Sequence, residues 1–254
     1  MADLWKRKLP LQADNGSWGA YWGERNLLQN LHQGIPIEKA GYLNNPNVES
    51  VAAWTRADTW GYVSPGWPEK AAELAFRDAS INHRRNGIYG SMFFAASIAA
   101  AFVVDDPVEA LAIGLQEIPK DSLFAEAVQW AFQVAPQINN YKEGAAAVRE
   151  RYAGMFEGHA INNALFVIFG IHIGGTDFTK VIGETIAMGM DNDCTGATAG
   201  SIVGAVIGKS RVPEHWHRPF HNRMQSYFIG SPEYIDFDDL LRRYAAQAKL
   251  MLEV

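Results

Sequence analysis

The chain has 254 residues, of which 48% are hydrophobic and 20% charged, and its formal net charge is −6 at pH 7. A chain of this size can bury a substantial core, and we expect residues 1–254 to form a single domain. The negative charge argues against binding to nucleic-acid backbones, which needs clustered Lys and Arg. The single cysteine, Cys194, excludes an intrachain disulfide and favours a reducing cytoplasm.

The first segments of the chain predict loops followed by helices. Two polar, glycine-containing stretches, residues 12–19 and 41–47, are typical of loops. Pro68 and Glu69 predict a helix start, and the apolar pattern after them extends to Ile81. The apolar run from Ile88 to Val104 is too short to cross a bilayer, which needs about 20 residues. We therefore expect it to be a helix buried in the core, with no membrane association.

Helix signals continue to the end of the chain. Asp106 before Pro107 predicts an N-cap, Asp121 predicts a cap for residues 122–134, and residues 237–250 carry a helical apolar stripe. The segment 211–231, rich in His, Pro and Trp, predicts a loop. No alternating strand pattern stands out, so the sequence favours an all-α fold.

The most informative helix begins at Asp191. Four glycines, at positions 196, 200, 204 and 208, fall on one face of it. Each costs about 1 kcal/mol against alanine inside a helix, so the spacing predicts close packing against a second helix.

Asp191 and Asp193 at the start of this helix suit a divalent cation. Two carboxylates one residue apart can converge on one hard ion, which prefers oxygen ligands. The same Asp-x-Asp pattern is also typical of a plain helix cap beside a surface charge. Spacing alone leaves both interpretations open.

Residues 191–208 as a whole resemble the C-terminal signature of the ADP-ribosylglycohydrolase family, in which an Asp-x-Asp-[Thr/Cys] element opens a helix of small residues. Further landmarks of one branch of this family follow in order, over roughly residues 3–208. They are Asn26-Leu27-Leu28, Asn45-Pro46, residues 56–62, Pro65-Gly66, residues 77–83, residues 86–90, residues 159–164 and Asp177-Phe178.

The resemblance implies a compact orthogonal bundle of helices with a cleft that holds two Mg²⁺ or Mn²⁺ ions. It implies hydrolysis at the anomeric carbon of the ribose, which releases ADP-ribose from a modified protein or small molecule. Such ions bind a ribose diol in fixed geometry and acidify bound water.

The resemblance also assigns residues to the site. The catalytic metal ligands are Asp191 and Asp193, with Cys194 in a third position where the family often has Thr; a thiol is a poorer partner for Mg²⁺. The implied substrate-binding residues are Arg56, Asp58, Thr59, Gly61, Tyr62 and His83. By residue type alone, Arg56 and Asp58 equally suit a structural ion pair under an aromatic cap, and His83 a surface position.

One element of the family pattern is missing from these 254 residues, namely the Thr-Asp-Asp-Thr-like run near the N-terminus that supplies a second set of metal ligands. Three explanations stand open: a separate N-terminal subunit or second copy completes a split enzyme, the chain is an impaired relative that binds ADP-ribosyl groups or a partner, or the sequence is incomplete. The missing helices would expose an apolar face, which self-association, a partner chain or a rearranged core could cover.

Overall fold

The computed structural model describes residues 2–9, 22–226 and 228–253. The predicted loop at 12–19 lies outside these residues. The helices are α1 (Ala2–Lys8), α2 (Trp22–His32), α3 (Ile37–Ala40), α4 (Asp58–Tyr62), α5 (Pro68–Ala79), α6 (Asn86–Ala101), α7 (Pro107–Gln116), α8 (Leu123–Val134), α9 (Tyr141–Arg151), α10 (Ala160–Gly174), α11 (Phe178–Ala187), α12 (Asn192–Ile207) and α13 (Phe237–Leu252), and the strands are β1 (Arg223–Gln225) and β2 (Tyr234–Asp236). The predicted all-α class is confirmed.

Helix starts follow from local capping. Asp106 accepts a hydrogen bond of 2.8 Å from the backbone N–H of Val108, which confirms the predicted cap of α7. The prediction for α8 is wrong by one residue, because Ser122 and not Asp121 accepts from the third amide of the first turn. Ser and Asp are about equally good N-caps, so the sequence does not separate adjacent candidates.

Two apolar helices, α6 and α10, form the centre of the core. Nearly all residues of both are buried, as the apolar run from Ile88 predicted for α6. Helices α4, α5, α7 and α12 contact α6, while α8, α11 and α12 contact α10. Among the helices described, none is long and apolar enough to cross a membrane.

Helix α12 packs on α11 as predicted, and the close approach that requires a glycine is at Gly196. A Cβ placed at Gly196 would lie 2.6 Å from Cγ2 of Ile186, whereas one at Gly200 would make an ordinary van der Waals contact, 3.5 Å from Cδ1 of Ile182. Gly208 is an exception to the prediction. It ends the helix with a φ of +75°, a conformation that favours glycine, and a Cβ placed there would have no neighbour within 4 Å.

The segment after α12 is not only loop. Strands β1 and β2 pair antiparallel, with Met224 opposite Ile235, and Asp236 then caps α13 by accepting from the amide of Asp239. The predicted loop at 211–231 therefore contains one short strand. Helices α5 and α13 also end at Ala79 and Leu252, two residues from their predicted ends.

Candidate metal and substrate site

The start of α12 gathers three side chains that can bind a metal. One ligand atom each of Asp191, Asp193 and Cys194 lies within 4.8 Å of the other two. Asp191 and Cys194 are half-buried, whereas Asp193 is exposed. The backbone N–H of Asp191 donates to Oδ1 of Asn163 on α10 over 3.1 Å, which anchors the turn to the core.

The turn that leads into α12 has an unusual backbone. Gly189 and the following Met190 both have positive φ, at +92° and +58°. A bulky residue in this region is strained, and such strain is concentrated at functional sites. Although Asp191 occupies the N-cap position, its side chain makes no capping hydrogen bond. The simple capping interpretation therefore does not describe the Asp191 carboxylate.

The electrostatics of this cluster are those of crowded anions. Burial raises the pKa of the Asp191 carboxyl, a hydrogen bond from Cys194 opposes the rise, and the neighbouring Asp193 adds to it. Burial, followed by the hydrogen bond to Asp191, raises the pKa of the Cys194 thiol. Cys194 is therefore a protonated thiol at neutral pH. Positive charge between the two carboxylates would relieve their repulsion.

Arg56 lies at the centre of a polar network beside this cluster. Its guanidinium donates to Glu24 over 2.6 Å, to Asp78 over 2.5 Å and to Asn82 over 2.8 Å. It also lies 5.1 Å above the ring of Trp5. Arg56 thus forms structural ion pairs, which is the alternative to substrate binding that its residue type suggested. Its partners are Glu24 and Asp78 and not Asp58.

His83 belongs to the same network and is fully buried. Its Nδ1 lies 2.9 Å from Oδ1 of Asn82, an atom that can only accept, so Nδ1 carries the proton. Nε2 then accepts from the Ser50 hydroxyl over 3.1 Å. Burial, with the nearby charge of Arg56, holds the pKa of His83 well below its usual value. The ring is therefore neutral, and both nitrogens are occupied by protein groups.

Glu24 connects this network to the start of α12. Burial raises the pKa of its carboxyl, and the charge of Arg56 opposes the rise. The Glu24 charge in turn contributes to the raised pKa of Cys194, so the two groups are close enough to interact. Through Glu24, the hydrogen-bond network of Arg56 and Asn82 thus lies within electrostatic range of Cys194.

Helix α4 carries the other predicted substrate residues and contacts α12 further along. Ser201 of α12 donates to Oδ2 of Asp58 over 2.6 Å, and its oxygen lies 2.8 Å from Oη of Tyr62. Burial raises the pKa of Asp58 to about 6, although the Ser201 hydrogen bond lowers it. Thr59 bonds Tyr244 of α13 over 3.0 Å.

Gly61 serves packing in this structure. A Cβ at this position would lie 2.5 Å from Cγ2 of Ile98, so the missing side chain lets α4 approach α6. Asp58, Thr59 and Tyr62 therefore face α12 and α13 at Ser201 and Tyr244, two helical turns from Asp193.

A profile of the ADP-ribosylglycohydrolase family matches residues 3–249, nearly the whole chain. The chain belongs to the ADP-ribosylglycohydrolase family. No curated protein gives a significant match. Members of this family are generally metal-dependent hydrolases, and the Asp191, Asp193 and Cys194 cluster is the group of candidate metal ligands among the described residues of the chain.

The donor set fits a hard divalent ion in part. The carboxylates of Asp191, which makes no capping hydrogen bond, and of Asp193 suit Mg²⁺ or Mn²⁺, whereas the Cys194 thiol is soft and protonated. Two further residues of the site, Glu24 and Ser201, were not predicted from the sequence. Glu24 has no neighbouring motif that singles it out, and Ser201 is one of several small polar residues in α12.

Proposed function

We propose that this chain hydrolyses the glycosidic bond of ADP-ribosylated substrates and releases ADP-ribose, with Asp191 and Asp193 as the metal ligands that place Mg²⁺ or Mn²⁺ at the reacting centre. The observation that carries the proposal is the Asp191 carboxylate, which occupies an N-cap position without a capping hydrogen bond and has an oxygen within 4.8 Å of one of Asp193. Family membership supports hydrolysis as the reaction type.

In this proposal the residues of the site have different roles. Asp191 and Asp193 hold the ion, and Cys194 keeps its proton and donates to Asp191. A bound divalent ion supplies Lewis acidity, which makes a coordinated water more acidic. Arg56 fixes Glu24 beside the cluster, and the network through Asn82 holds the ring of His83. This fixed polar wall orients the substrate against the metal side.

An assay of ADP-ribose release tests the proposal. The purified chain is incubated with an ADP-ribosylated protein and with a small ADP-ribosyl compound, in Mg²⁺, Mn²⁺ or EDTA. We expect metal-dependent release that Asp193→Asn reduces by two or more powers of ten, because the variant loses a charged ligand. The matched control is Asp105→Asn, at an exposed residue that precedes a helix. Equal rates for Asp193→Asn and wild type would refute the assignment.

The second half of a two-metal site is the least complete part of this proposal. Two-metal sites need carboxylates on both sides of ions about 3.5–4 Å apart, and the 254 residues contain no Thr-Asp-Asp-Thr-like run. We propose that a separate polypeptide segment or a second copy of the chain supplies the carboxylates on the other side of the ion pair. Turnover by the isolated chain should then be slow, and it should rise when a family N-terminal segment with that run is added.

The alternative function is binding of ADP-ribosyl groups without hydrolysis. Calorimetry with ADP-ribose distinguishes it from catalysis, because a binding protein gives a measurable heat of binding in Mg²⁺ while releasing no product from any substrate. The incomplete ligand set is the observation that favours this alternative, since Mg²⁺ affinity falls with the number of carboxylates.

A further inference from the structure

A separate cavity lies along the side of α12, beyond the Asp191 cluster. It encloses about 670 Å³ between α11, α12, the segment after α12 and the start of α13. Cavities that bind small molecules in proteins fall in this range of volume. Asp191, Asp193 and Cys194 do not line it, and neither do Arg56 and His83. The cavity is therefore distinct from the candidate metal ligands, and Tyr62 is the one residue of its lining that the family resemblance assigns to substrate binding.

Paired aromatic rings hold two walls of this cavity in place. Trp216 donates from Nε1 to the Thr179 hydroxyl over 2.9 Å, and its ring lies edge-on to Phe178 with centroids 5.9 Å apart. Phe220 and Phe237 form a second edge-on pair at 6.2 Å. Preorganised aromatic walls suit a flat ring, which gains offset or edge contacts in addition to apolar burial.

The charge of the lining has one sign. Lys209, His217 and Arg218 line the cavity and no Asp or Glu does, although the chain carries a net charge of −6. Lys209 has one acidic neighbour outside the cavity, Asp238 at 3.3 Å. The Arg218 guanidinium makes no hydrogen bond or ion pair with any residue that the structure describes. A basic lining in an acidic protein favours an anionic ligand.

The lining of the cavity also offers a polar contact at Tyr62. Because Ser201 donates its single hydroxyl proton to Asp58, the Tyr62 hydroxyl donates to Ser201. The lone pairs of the Tyr62 oxygen are then available to accept a hydrogen bond from a ligand in the cavity that Tyr62 lines.

We infer that this cavity binds a small aromatic molecule with one anionic group. The ring lies between the aromatic pairs, and the anion lies near Arg218 and Lys209. The inference does not depend on metal binding, because the cavity shares no residue with the metal cluster.

Titration with the fluorescent probe 1-anilinonaphthalene-8-sulfonate, an aromatic anion, tests this site in the full chain. EDTA is present throughout, so the metal centre plays no part. We expect the double variant Arg218→Ala, Lys209→Ala to weaken probe binding about tenfold, since two cations that attract the sulfonate are lost. The neutral analogue N-phenyl-1-naphthylamine should change by less than about twofold. The matched control removes one Arg and one Lys from α13, with Arg242→Ala and Lys249→Ala.

A second pair of variants tests the location of the binding site by filling the cavity with a side chain. Gly200→Leu places a side chain into the cavity, since a Cβ there has no neighbour closer than 3.5 Å, and it should abolish probe binding. Gly183→Leu on the exposed face of α11 is the control, because a Cβ there has no neighbour within 4 Å. Circular dichroism checks that each variant is folded. Equal probe affinity in the wild type and the double cation variant would overturn the inference.

Competition then identifies the anionic group of the ligand. Indole-3-acetate carries a carboxylate and AMP carries a phosphate, and each is titrated against the bound probe. Displacement by either supports the site and names the anion that it prefers. If neither displaces the probe, the assignment to aromatic anions is wrong.

Discussion

The Ser201 hydroxyl on α12 donates a hydrogen bond of 2.6 Å to the Asp58 carboxylate on α4. This contact joins two helices that are 143 residues apart in the chain. Oδ2 of Asp58 therefore has a hydrogen-bond donor, whereas Oδ1 is buried without a partner among the described residues.

Replacement of Ser201 by alanine should destabilise the protein. The variant leaves the buried Asp58 carboxylate without its donor, which costs about 1–3 kcal/mol. Urea denaturation at neutral pH measures the change in the free energy of unfolding. Ser210→Ala, at an exposed position, is the control and should stay within about 0.5 kcal/mol of wild type. A Ser201 variant as stable as the control would mean that the contact contributes nothing.

Asp58 should make stability depend on pH in the opposite sense to most carboxyl groups. Its pKa is raised from 3.8 to about 6 by burial, so the folded state holds a proton that the unfolded state has lost. This contribution to stability is complete below about pH 4 and is lost as the pH rises through about 6.

The variant Asp58→Asn isolates this effect. Its stability relative to wild type should increase from about pH 4 to about pH 6, by roughly 2–3 kcal/mol, and stay level above that. Urea denaturation of both proteins at several pH values gives the difference directly. A difference that does not change with pH would show that Asp58 has an ordinary pKa.

Replacement of Cys194 by threonine should change which metals bind. A hydroxyl is a harder ligand than a thiol, so the variant should bind Mg²⁺ and Mn²⁺ more tightly and Cd²⁺ more weakly than wild type. Calorimetric titration with each ion gives the affinities. Cys194→Ser, which adds no methyl group, should show the same direction. Unchanged affinities in both variants would place Cys194 outside the metal site.

Loss of the Arg56 charge should affect stability more than loss of an exposed arginine. Arg56→Met leaves Glu24 and Asp78 half-buried or buried without their cation, and removing one partner of a buried pair costs about 3–5 kcal/mol. Because Arg56 is 24% exposed, we expect about 2 kcal/mol or more. The control is Arg77→Met, whose partner Glu73 is exposed. Similar losses of stability in the two variants would contradict this account.

The sequence predicts the local features of this fold better than the distant ones. Caps such as Asp106, the buried run in α6 and the glycine face of α12 depend on neighbours within a few turns, and the structure confirms them. The β1–β2 hairpin was not predicted, because its strands have only three residues each and lie in a segment rich in turn-forming residues.

The candidate site likewise combines contacts that the sequence predicts with contacts that it does not. Asp191, Asp193 and Cys194 are close in sequence, so their proximity was predictable. The partners of Arg56, by contrast, come from α2 and α5, and no spacing rule relates Glu24, Asp78 and Arg56. His83 beside two arginines suggested an exposed residue, whereas tertiary packing buries its ring and fixes its tautomer. Contacts of this kind depend on the whole arrangement of helices.

The contact between Gly196 and Ile186 links the position of the proposed metal ligands to a side chain on another helix. Since no atom separates the α12 backbone from the Ile186 methyl group, the volume of one aliphatic side chain on α11 sets how far the first turn of α12 stands from its neighbour. Asp193 and Cys194 lie in that turn. If these residues bind the proposed ion, a substitution at position 186 would change the spacing of the ligands while every donor residue stays the same.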